Sequence, residues 1–162
     1  MYAMHMRAPV LVSILLSSLA FGACGSESSS APDSPSADAD TLVVTSAWMR
    51  PAPEDGVTAL YLELHNHHST ADTLTRVSTP VSDRTEIHTT VQNDDGTMGM
   101  REIPDGLPVP ADTVTTLHPG GLHVMIYDVN KPLVVGNAVD VTLHLNAGSY
   151  AVPAQVRPSP PQ

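Results

Sequence analysis

Between residues 41 and 157, apolar and polar positions alternate in short runs rich in Val, Leu, Thr and Tyr, separated by turn-forming residues. These runs predict strands over 42–48, 59–65, 73–78, 85–91, 98–103, 113–117, 122–128, 139–145 and 150–156. The run Val139-Asp140-Val141-Thr142-Leu143-His144-Leu145 shows the period of two most plainly. No stretch sustains a helical period between punctuating Pro and Gly, and there is no internal repeat. Short strands at even spacing imply an all-β antiparallel sandwich or barrel. A domain of about 115 residues buries a sufficient core by size alone. That core is expected to be aliphatic, because the only Phe lies near the N-terminus and Trp48 is the only Trp.

The same period of two sorts chemistry onto faces. After the turn Pro119-Gly120-Gly121, Leu122, Val124 and Ile126 take the core side, while His123 and Met125 stand together opposite. In 85–91, Ile87 points inward and His88 outward. In 98–103, Met98 and Met100 share the face opposite Ile103. A lone His or Met on a strand is ordinarily surface or filler, so the weight rests on the set. Neighbouring strands lie about 4.8 Å apart, which lets His88, Met100, His123 and Met125 converge at one end of the sandwich. Two imidazoles and two thioethers form a neutral, soft site suited to Cu(I). Zn²⁺ asks for thiolate or carboxylate, and Ca²⁺ for oxygens.

Composition narrows the function. The net charge is −10 with no basic cluster, which excludes nucleic acid as a partner and electrostatic binding to anionic lipid. A blue-copper carrier needs a Cys thiolate beside two His, whereas the only cysteine is Cys24. No nucleophile–base set is visible and no open metal site has a positioned acid or base, so the chain does not read as an enzyme. The tract His65-Asn66-His67-His68 ends a strand and is the most metal-like stretch outside the motif. It reads as a polar loop that binds metal only adventitiously, and His144 as a solvated strand residue. His118 precedes the Pro-Gly-Gly turn as a candidate neighbour of the site. Asp94-Asp95-Gly96 is a hairpin signal.

The N-terminal part has a different character. Residues 1–23 combine a short charged start with an apolar run ending Phe21-Gly22-Ala23, the pattern of a secretory signal. Small residues before Cys24 resemble a bacterial lipobox, whose cysteine becomes lipidated; Phe21 departs from the usual Leu, and ordinary cleavage near Ala23 is the alternative. Residues 24–40, rich in Ser, Ala, Pro and Asp, cannot offset their ordering entropy and read as a flexible tether. The domain is expected over 41–157, with a disordered tail over 158–162.

A set of motifs in order then stands out: Ala47-Trp48-Met49-Arg50-Pro51, Tyr61, Asn66, Glu86-Ile87-His88, Met98-Gly99-Met100-Arg101, Pro119-Gly120-Gly121-Leu122-His123-Val124-Met125, Pro132-Leu133, Gly136 and Ala147-Gly148. It resembles the bacterial periplasmic copper chaperone family of the PCu(A)C type across nearly all of 41–156. The resemblance implies a cupredoxin-like Greek-key β-sandwich that binds Cu(I) as its cargo. It further implies passage of copper to the copper-site subunit of cytochrome c oxidase or to another assembly factor. The family's ligand pattern falls on His88, Met100, His123 and Met125. Thr89 and Thr90 stand where the family often carries a second Met. Met98 either substitutes for it or packs beside the site; spacing alone does not choose between Met98 and Met100, and the family pattern selects Met100. The resulting expectation is an exported, lipid-anchored Cu(I) metallochaperone on the periplasmic or cell-surface side of a membrane. A non-metal ligand- or protein-binding lipoprotein on the same sandwich is the rival.

Overall fold

A computed structural model describes residues 41–161. The expected signal (1–23), Cys24 and the tether (24–40) lie outside the described residues. Ten strands follow: β1 (Leu42–Met49), β2 (Thr58–Asn66), β3 (Asp72–Ser78), β4 (Arg84–Gln92), β5 (Met98–Glu102), β6 (Leu107–Val109), β7 (Thr113–Leu117), β8 (Leu122–Tyr127), β9 (Ala138–Leu145) and β10 (Ser149–Val156). Their hydrogen-bonded order is β5-β4-β8-β2-β1-β10-β9-β3-β6, and β7 continues the β8 edge of β2. All ladders are antiparallel except β1–β10, which is parallel. The described residues contain no helix.

Nine of the strands coincide with the expected runs within one residue at each end. The tenth, β6, was not expected, because Pro108 sits at its centre. Proline cannot donate to a ladder and is confined to edges; β6 pairs only with β3, at the end of the sheet order.

Alternation explains the core. Leu60, Leu62 and Leu64 of β2, Val124 and Ile126 of β8 and Val141 and Leu143 of β9 are almost completely buried. They join Met49, Leu74, Val77, Val81, Val109 and Val129 in one aliphatic cluster. Trp48 is buried as well but stands outside that cluster, for a local reason. The β1–β2 register slips between Thr45 and Trp48, where Ser46 takes a left-handed conformation with φ 54°. Such a bulge adds one residue to a strand and inverts the faces beyond it. Met49 therefore enters the core, and Trp48 turns to the outer side against Tyr61.

Asn66, one of the motif residues, has a structural job. Its amide nitrogen donates to the carbonyls of Thr70, Val109 and Pro110, and its oxygen accepts from the His68 N–H, tying the β2 end to the loop before β7.

Candidate metal centre

β8 lies between β4 and β2, and its register sets what meets what. His123 faces His88 directly, and Met125 faces Glu86 of β4 and Ala59 of β2. On the other side of β4, His88 pairs with Glu102, Thr90 with Met100 and Gln92 with Met98. Partners in an antiparallel ladder project to one side. His88, His123, Met125, Met100 and Met98 therefore share one outer face, away from Ile87, Val124 and Ile126.

The two imidazoles are held in different ways. His123 Nδ1 lies 2.9 Å from the Gly121 carbonyl oxygen. A carbonyl only accepts, so Nδ1 carries the proton and Nε2 presents its lone pair. That Nε2 is 3.2 Å from Met100 Sδ. The Gly121 carbonyl also accepts from the Thr90 N–H and hydroxyl, which fixes the turn against β4. Gly121 has no side chain for a steric reason: a Cβ there would fall 2.4 Å from His118 Nε2. His118 is thus a packing neighbour of the turn, with its Nδ1 donating to the Pro119 carbonyl.

His88 uses the opposite nitrogen. Its Nε2 donates to Glu86 Oε2 at 3.0 Å, and its Nδ1 is buried with no hydrogen-bond partner. A buried polar atom without a partner in a native fold calls for an explanation, and a metal-ligating lone pair supplies one. Glu86 Oε1 accepts two bonds from Arg84, at 3.0 and 2.8 Å, and the Arg84 guanidinium lies 4.2 Å from the Tyr127 ring centre. The Arg84 bonds, and then the His88 bond, hold the Glu86 carboxyl below its ordinary range. Burial, then the nearby Glu86, push the Tyr127 phenol up.

His88 and His123 were expected to face outward; they do leave the core side, yet they are only 9% and 5% exposed. Their ring centres are 5.9 Å apart, and Tyr61 covers His123 from the β2 side at 6.4 Å. Trp48 packs against Tyr61, ring centres 4.6 Å apart and tilted by 33°. The thioethers of β5 form the open side, with Met100 59% and Met98 64% exposed. The structure thus brings His88, His123 and Met100 together and places Met125 on the same face. Met98 stands two residues, about 7 Å along the strand, beyond Met100 and four residues from the level of the His pair. Sequence reasoning assigned no role to Glu86, Tyr61 or the Gly121 carbonyl. Glu86 was detectable, since i and i+2 on a strand share a face.

The other histidines are placed elsewhere. His65 Nε2 is bonded to Thr45 and Glu63, and its ring stacks 6.2 Å from that of His67. His144, expected to be solvated, is half-buried and hydrogen-bonded to Ser78 and Ser149. Among the described residues no three His, Cys, Asp or Glu side chains form a group that could hold a metal. Beside the two imidazoles, the donors that this face offers are the soft thioethers of Met100 and Met125.

This face, on this sheet, defines the class: a cupredoxin-like PCuAC-type domain, of a family of copper chaperones and not enzymes. The apo PCuAC domain from PmoF1 superposes with a TM-score of 0.61 at 30% identity, over 73% of this chain and 94% of that one. The Cu(I) form of DR1885 from Deinococcus radiodurans gives a TM-score of 0.55 at 30% identity, over 72% and 79%. More particularly, the family model described as "Putative lipoprotein LpqE-like" matches residues 42–156, and the chain belongs to the LpqE-like family. "Putative lipoprotein Lxx21020" of Leifsonia xyli subsp. xyli (strain CTCB07) is 29% identical over 153 residues, covering 93% of this chain and 89% of that protein.

Proposed function

We propose that this protein is an exported lipoprotein that carries Cu(I) on His88, His123, Met100 and Met125 and hands it towards cytochrome c oxidase assembly. One observation carries the reading. The bare Nε2 of His123 stands 3.2 Å from the Met100 sulfur, beside a His88 whose buried Nδ1 has no partner. A neutral N/S set of this kind favours Cu(I) over Zn²⁺. The copper-bound PCuAC relatives support the choice of metal, and the names of the family and of the Leifsonia protein support the anchor. Arg84 strengthens the selectivity, because it occupies the carboxylate to which His88 is hydrogen-bonded. Chaperone chemistry follows from the asymmetry of the site: the histidines are buried, while Met100 is exposed. A recipient can displace the exposed Met100 thioether first, from the β5 side, while the buried imidazoles retain the ion.

Competition with a chromophoric Cu(I) chelator tests this. One Cu(I) per chain should be held, and much more tightly than Zn²⁺. Equal retention of zinc, or no copper uptake, would overturn the assignment and favour a lipoprotein that binds a non-metal ligand.

A further inference from the structure

The hydrogen bonds of the two imidazoles point in opposite senses. His123 gives its Nδ1 proton to a main-chain carbonyl that two donors from Thr90 already hold in place. His88 gives its Nε2 proton to a carboxylate. That carboxylate does not wander, because Arg84 grips its other oxygen through two nitrogens and rests on Tyr127. The result is a chain from Tyr127 through Arg84 and Glu86 to His88, on one face of β4 and β8, built from residues 84, 86 and 88 at strand spacing.

We infer that Glu86, clamped by Arg84, is a positioning residue that commits His88 to meet the metal through Nδ1, whereas the Gly121 carbonyl commits His123 to meet it through Nε2. The inference rests on the Cu(I) reading above and adds to it which atoms bind and what selects them. An imidazole free in solution exchanges its proton between both nitrogens. Here each ring has one acceptor fixed at one nitrogen, so the other nitrogen is bare before the ion arrives and no rearrangement is needed on loading. Without Glu86, the Nε2 proton of His88 has no fixed acceptor, and both tautomers become accessible. Outer partners of this kind typically change metal affinity 10–100-fold.

Long-range ¹H–¹⁵N NMR of the ring nitrogens in the ¹⁵N-labelled full-length chain tests this in the apo state, apart from copper. Wild type should show His88 protonated at Nε2 and His123 at Nδ1. Adding Cu(I) should shift His88 Nδ1 and His123 Nε2. Glu86→Ala should give His88 as a tautomer mixture, with His123 unchanged, and a 10–100-fold loss of Cu(I) affinity. In Glu86→Gln the single acceptor oxygen is claimed by Arg84, which can only donate. The amide NH₂ then faces His88 Nε2, so the His88 proton should move to Nδ1, with a loss of Cu(I) affinity. This variant also covers the case in which the alanine variant folds poorly. A wild-type His88 bare at Nε2 would overturn the inference, as would an alanine variant that keeps the Nε2 proton in full. A wild type that binds no Cu(I) while showing the stated apo tautomers would refute the copper reading and leave the role of Glu86 in the apo site standing.

Discussion

Strand β8 carries two jobs on two faces, and the pair His123→Ala and Ile126→Ala separates them. In the apo protein His123→Ala removes one neutral hydrogen bond, worth about 1 kcal/mol net. The Gly121 carbonyl is not orphaned, since it keeps the Thr90 N–H and hydroxyl. Lost contact with Tyr61 and His88 adds to this, for a total of about 1–2 kcal/mol. Ile126 is fully buried in the aliphatic cluster, so Ile126→Ala should cost about 2–5 kcal/mol through lost transfer energy and a cavity. Copper binding should show the reverse order. His123→Ala loses one of two nitrogen donors and should bind Cu(I) far more weakly, while folded Ile126→Ala should bind as wild type. Urea unfolding followed by the fluorescence of the single Trp48 gives the stabilities, and chelator competition gives the affinities. The reasoning fails if His123→Ala destabilises as much as Ile126→Ala, or if it retains wild-type affinity.

Three further outcomes follow, two from the same geometry and one from the sequence. Met100→Leu, close to volume-conserving and at an exposed position, should weaken Cu(I) binding with little change in stability, whereas Met98→Leu should do far less; chelator competition on both variants checks the order. Because the folded state depresses the Glu86 carboxyl, its contribution is complete above the unfolded value of about 4.3 and is lost as pH falls through the lower folded value. Urea midpoints of the apo protein should therefore decline below about pH 4.3, and Glu86→Gln should flatten that decline. If Cys24 carries the proposed lipid, Cys24→Ser should move the protein from the membrane fraction to the soluble exported fraction; unchanged partitioning would remove the lipoprotein proposal.

Much of the sheet was legible because period two and turn residues agree along the chain. The exceptions have local causes. β6 was hidden by Pro108, which is tolerable only because that strand lies at an edge. The bulge at Ser46 has no sequence signal comparable to a glycine, so the outward turn of Trp48 could not be foreseen. At the site, the shared face of His123 and Met125 follows from their spacing, and the juxtaposition with His88 and Met100 was reachable once β4, β5 and β8 were taken as neighbours. The burial of His123 was not, since it depends on Tyr61, which reaches His123 only through the β2–β8 register. The fixed tautomers depend on atoms that no spacing rule describes, a main-chain carbonyl in a turn and a carboxylate clamped by Arg84.

X-ray absorption at the copper edge of the Cu(I)-loaded protein bears most directly on the central claim. A Cu(I) ion bound by His88 and His123 together with thioethers should show the edge of the monovalent ion, imidazole scattering from two rings, and sulfur in its first shell. His123→Ala should remove one imidazole and retain sulfur. A first shell of nitrogen and oxygen alone, or a spectrum unchanged by His123→Ala, would contradict the account.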